Sequence, residues 1–84
     1  MTLSWKPTNI GTNVWRLYRG SQPTDTLLRH MPRRKCWRLY HCLMRQNSRG
    51  EWRRIGTHLL LVLPFELSET EAKTIALNHL TVTQ

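Results

Sequence analysis

Acidic side chains are scarce in this chain. Five Asp and Glu stand against thirteen Lys and Arg in 84 residues, a formal net charge of +8. Three of the five, Glu66, Glu69 and Glu71, crowd around one helix start, so paired-carboxylate catalysis has little to draw on. Cysteine is sparse too: Cys36 and Cys42 are too few for a disulfide framework. They share one expected strand, six residues apart, or roughly 20 Å, beyond disulfide reach. Reduced thiols follow. No Cys-x-x-Cys and no close His pair is present among His30, His41, His58 and His79, so zinc-site spacing is missing. No glycine-rich phosphate loop occurs. A Cys–His nucleophile pair stays open, because its members meet only in the fold. Long apolar runs are absent as well. The longest, Leu59–Phe65, falls far short of the ~20 residues a membrane helix needs, and Met1–Asn9 lacks the apolar core of a signal peptide. These absences lead to the expectation of a soluble, cytoplasmic, non-enzymatic protein with no cofactor, no metal and no membrane partner.

What the chain has is positive charge, unevenly placed. Residues 1–54 carry twelve Lys/Arg against two acids, a net +10; residues 55–84 carry one Lys against three Glu, a net −2. An excess of this size argues for an anionic partner. Four Trp, two Tyr and one Phe are present. They supply large buried area for little chain, which a domain this small requires.

Along the chain, Met1–Gly11 has Pro7, Asn9 and Gly11 without periodicity, and is expected as a flexible arm. Thr12–Arg19 alternates, with Trp15 and Leu17 on one side and Val14, Arg16 and Tyr18 on the other, the signature of a strand. Thr24–Met31 fits either a short helix or a strand, and Pro32 closes it. The segment Trp15-Arg16-Leu17-Tyr18 recurs as Trp37-Arg38-Leu39-Tyr40, which gives two strands one facing pattern: Trp and Leu inward, Arg and Tyr outward. Cys36–Gln46 is expected as a strand, Asn47–Gly50 as a hairpin turn and Glu51–Val62 as the returning strand. Cys36, Tyr40, Cys42 and Met44 make the second face of Cys36–Met44 less polar than a solvated surface, so its core side stays open. Leu59–Leu63 loses alternation, as a strand covered on both faces does.

The helix start is sharply marked. Ser68 and Glu71 form the Ser-x-x-Glu capping box, Leu67 and Ala72 hold the staple positions, and Glu69 and Glu71 favour the helix dipole. Ala72, Ile75, Ala76, His79 and Leu80 recur at helical spacing along one face, and Thr81–Gln84 is expected to fray. The expected architecture is therefore α+β: an antiparallel sheet of three or four strands with one C-terminal helix packed on one face. Residues 12–80 form the domain, between an arm at 1–11 and a tail at 81–84.

The candidate functional surface is basic and aromatic: Arg16, Tyr18, Arg38, Tyr40, Arg53 and Arg54, with the corner Arg33, Arg34 and Lys35 and the turn residue Arg49. A β-ribbon can enter the DNA major groove, and Arg donates in a bidentate fork to guanine edges and phosphates. Outward aromatics can instead stack on unpaired bases. The competing explanation is that Arg stems cover the sheet while their heads stay in water. Strand, turn, strand ending near Ile55-Gly56-Thr57, and a helix bearing Ala72 and Ala76 together resemble the three-strand-plus-helix DNA-binding modules. Arm-type domains of tyrosine recombinases and plant ethylene-response-factor domains are of this kind. The resemblance spans Thr12–Leu80, includes Trp52, and implies a sheet that reads the major groove with a helix packed behind it. Nucleic acid, DNA ahead of RNA, is the expected partner. The alternative is a protein-binding module, such as a small inhibitor or adaptor, or a homodimer joined through an edge strand.

Overall fold

Five strands form: three where a strand is expected, one in the segment open to helix or strand, and one within the expected arm. The computed structural model describes residues 2–82. Its elements are β1 (Leu3–Pro7), β2 (Val14–Arg19), β3 (Gln22–Met31), a 3-10 turn (Pro32–Arg34), β4 (Cys36–Gln46), β5 (Trp52–Pro64) and α1 (Glu69–Val82). The sheet is an antiparallel meander in the order β1-β2-β3-β4-β5. An α+β class holds, but with five strands rather than three or four. Two segments account for the difference. Leu3–Pro7, expected within an arm, pairs from Leu3↔Arg19 to Pro7↔Trp15. The undecided Thr24–Met31 lies in β3, which pairs on both sides.

One row of side chains sets the core. Trp15 pairs with Leu28, Leu28 with Leu39, and Leu39 with Leu61, so these four share a face. Trp5↔Leu17 and Trp37↔Leu63 extend it. Trp15, Leu17, Leu28, Trp37, Leu39 and Leu63 are joined in one buried cluster by Ala72, Ala76 and Leu80 of α1. The indole of Trp5 donates to the carbonyl of Lys73 at 3.2 Å, and that of Trp37 to the carbonyl of Leu67 at 3.2 Å. The echoed Trp-Arg-Leu-Tyr segments thus place Trp and Leu in the core, as expected. Ile75 is exposed, while Leu77 packs on the cluster. The buried stripe of α1 is therefore rotated from the expected one, toward the side where Lys73 meets Trp5 and lies over the Trp15 ring at 4.9 Å.

The capping box forms. Ser68 N donates to Glu71 Oε1 and Glu71 N to Ser68 Oγ, both at 3.1 Å. These partners on Ser68, its backbone first, hold the Glu71 carboxyl below the usual value. The β4–β5 turn closes on Asn47, whose side-chain oxygen accepts from Arg49 N and Glu51 N at 2.9 Å each, and Gly50 takes the positive φ of 80°. The helix runs to Val82, past the expected start of the frayed tail; Thr83 and Gln84 lie outside the described residues.

The apolar run in β5 has a different cause from the one expected. Tyr40 pairs with Leu59 but Leu39 with Leu61, so Leu60 is an extra, bulged residue. A second bulge follows, where Leu43 pairs with Gly56 and Met44 with Arg54, leaving Ile55 over. Leu59 and Val62 are exposed, so this strand is not covered on both faces. It is an edge strand whose period of two is broken twice. β3 pairs with β4 only from Met31↔Cys36 to Thr26↔His41. Beyond that point Cys42–Gln46 and Trp52–Thr57 continue as a two-stranded ribbon. Thirteen residues at roughly 3.3 Å each match the long dimension of the molecule, 43 Å.

Candidate nucleic-acid interface

The face opposite the core cluster carries Lys6, Arg16, Arg29, Arg38 and Arg54. Cross-strand partners point to the same side, and on this side Lys6 pairs with Arg16, Arg16 with Leu27, and Leu27 with Tyr40. Tyr18 is on the same face, two residues on from Arg16. One row further, Val14 pairs with Arg29 and Arg29 with Arg38. The Ile55 bulge returns Arg54, opposite Met44, to this face. Without the bulge, Arg54 and Thr57 would point to opposite sides. With it, both line a cavity of about 210 Å³ with Arg29, Met31, Arg38, Tyr40 and Leu59. Val14 and Leu27 belong to this face and are buried, at 3% and 1% exposure. Long stems roof the sheet here, as amphipathic side chains do.

Two cationic pairs on this face have no carboxylate partner among the described residues. Lys6 stands opposite Arg16, and Arg29 opposite Arg38. On the ribbon, on the other face, Arg45 stands opposite Arg53. Like charges directly opposite destabilise a sheet. The one ion pair among the described residues, Lys73 with Glu69 at 2.7 Å, is on the helix. Arg38 Nε is buried without a hydrogen-bond partner among the described residues. By contrast, Arg16 Nη1 donates to the Thr24 carbonyl at 2.9 Å, and Lys6 lies over the Tyr18 ring at 4.6 Å. Arg16 and Tyr18 are thus partly engaged, whereas Arg29, Arg38, Tyr40 and Arg54 converge on the open cavity.

The other expected site residues are dispersed. Arg33, Arg34 and Lys35 sit at the β3–β4 connection, where Lys35 takes the left-handed conformation at φ 49°. Arg49 lies in the β4–β5 turn, at the opposite end of a strand of eleven residues, roughly 36 Å away. Arg53 faces away from Arg54. Sequence reasoning missed Lys6, Arg29 and Arg45. Lys6 had a signal in the apolar–polar alternation of Leu3-Ser4-Trp5-Lys6; Leu27-Leu28-Arg29-His30-Met31 does not alternate, and only the pairing of β3 places Arg29. Cys36 is buried and Cys42 half-buried, both as free thiols. His41 Nδ1 is within 2.8 Å of the Thr26 hydroxyl. No group of three or more potential metal ligands occurs among the described residues, and no described helix is long and apolar enough to cross a membrane. No family model, curated protein or solved structure matches this chain. The resemblance to three-strand-plus-helix modules stands on residue pattern alone.

Proposed function

We propose that this is a small, non-enzymatic nucleic-acid-binding protein, with DNA the preferred target, that binds through the basic face of its sheet. The observation that carries this reading is Arg29 opposite Arg38, beside Arg54 and Tyr40, with no carboxylate in ion-pair range among the described residues. Stability alone selects against such a pair, whereas a polyanion relieves it and gains bidentate contacts. In this reading α1 is a brace packed on the far face, and its acidic first turn keeps it away from phosphate. The protruding ribbon, with Arg45, Arg53 and Arg54, suits insertion into a groove. Free thiols suit a reducing compartment, the cytoplasm. Duplex and single-stranded DNA and RNA titrated at two salt concentrations test the proposal. Affinity is expected to fall steeply with salt; absence of binding at low salt would overturn it.

A second reading has its own observation. Trp52 and Ile55 on the edge strand β5 are 65% and 63% exposed, and an open apolar edge invites another chain. A protein-binding module or an edge-to-edge homodimer would use it. Capture of a stoichiometric partner from nuclease-treated lysate, or a dimer in sedimentation, would favour that reading.

A further inference from the structure

A second cavity opens at the end of the sheet, between the β1–β2 loop and the 3-10 turn. Its volume is about 460 Å³, inside the range of roughly 300–1,000 Å³ typical of small-molecule sites. Three guanidinium-bearing residues, Arg29, Arg33 and Arg34, line it together with His30 and the loop 11–13. None of the three arginines has a carboxylate within ion-pair distance among the described residues. The two walls are tied together, since His30 N donates to the Asn13 carbonyl at 2.9 Å. The loop is held at its base by Thr8, whose N and Oγ1 both donate to the Val14 carbonyl, at 3.1 and 3.2 Å.

His30 is the unusual member. Its ring stacks on Trp37 at 4.3 Å and on Phe65 at 4.6 Å between centroids. Stacking on both rings fixes the imidazole plane. Nε2 is buried on the core side, beside Trp37, and has no hydrogen-bond partner among the described residues. Arg29 and Met31 line both this cavity and the smaller one on the basic face. The basic track therefore runs off the face and into the end cavity.

We propose that the end cavity binds a phosphomonoester, the terminal phosphate of a nucleic-acid strand whose body lies along the basic face. This assignment rests on the function proposed above and adds the ligand's end chemistry to it. A terminal phosphate carries nearly two negative charges and three free oxygens, against one charge on an internal phosphodiester. Arg29, Arg33 and Arg34 match that excess with charge-assisted, forked donors, and the cavity has volume left for the terminal nucleoside.

The test compares short single-stranded oligonucleotides of one sequence that carry a 5′-phosphate, a 3′-phosphate or free hydroxyls at both ends. A nucleoside monophosphate serves as the free-ligand probe. One phosphorylated end is expected to bind about tenfold more tightly than the hydroxyl form, a difference of about 1.4 kcal/mol. In the doubly substituted R33A/R34A protein this preference is expected to vanish while binding of the hydroxyl form persists. Both arginines are exposed and make no hydrogen bond that the fold needs, so the variant should fold, and circular dichroism checks that it does. Equal affinity for all three oligonucleotides would overturn the end-site assignment and leave the basic face standing. If no oligonucleotide binds, the proposed function fails. In that case nucleoside monophosphate shifting the amide resonances of Gly11, Thr12 and Asn13 would retain the cavity as a phosphomonoester site, and no shift would end it.

Discussion

Where the helix covers the sheet, cross-strand neighbours suit each other, and on the opposite face two cationic pairs repel. Trp15, Leu28, Leu39 and Leu61 make one continuous apolar row across four strands, against which α1 contributes Ala72 and Ala76. The rows behind it set Lys6 against Arg16 and Arg29 against Arg38. Folding free energy explains the first face. It does not explain the second, where each like-charged pair costs something in the free protein. The proposed function places its partner on that second face.

The contrast can be broken from either side. Leu39→Ala on the packed face should have the largest effect. The side chain is fully buried, and loss of a buried leucine costs about 2–5 kcal/mol, read as a lower urea midpoint. On the basic face, Arg54→Ala should weaken nucleic-acid binding by about 1–3 kcal/mol and reduce the salt slope by about one, with the urea midpoint unmoved. Its neighbour Arg53, turned to the other side, should matter less, and equal losses at both positions would mean that the ribbon binds through both of its faces. At the helix start, Ser68→Ala should cost about 1 kcal/mol.

The capping box also carries a pH signature. The folded-state value of Glu71 is lowered, so its contribution is present above the unfolded carboxylate value. It is lost as pH falls through the folded one. Between about pH 5 and pH 3 the urea midpoint should therefore fall further in the parent protein than in Glu71→Gln. The smallest effect is the most pointed. Arg29→Gln should raise stability by about 0.2–1 kcal/mol by removing the repulsion with Arg38, while it lowers affinity for nucleic acid. A variant that loses both would show that Arg29 serves packing.

Much of this architecture is legible in the sequence. The hairpin of β4 and β5 announces itself through Asn47 and Gly50, and α1 through Ser68 and Glu71, because both are local chemistry. The inward Trp and Leu of the echoed segments follow from the period of two. Less could be read where strand signals compete with breakers. Pro7 masks β1, and Pro23 with Asp25 blurs β3, although both prolines are exposed and tolerated there. The bulges at Ile55 and Leu60 were out of reach, since an apolar run without alternation has two causes and only pairing separates them. That limit carried over to the site. Arg16 and Arg38 could be put on one face by parity, but Arg54 joins them only through a bulge, and Arg29 only through the identity of β3.

The bond from the Trp5 indole to the Lys73 carbonyl spans 68 positions of the chain. All strand pairings, by contrast, join sequence neighbours. A meander of this kind assembles from short loops, each cheap to close. The latch between the first strand and the helix joins positions far apart in the chain, and it has nothing to hold until both are in place. Its energy accordingly belongs to the folded side of the barrier. In stopped-flow experiments Trp5→Phe should accelerate unfolding and leave the refolding rate nearly unchanged. The lifetime of the native state would then be set where the two ends of the chain meet, away from the basic face.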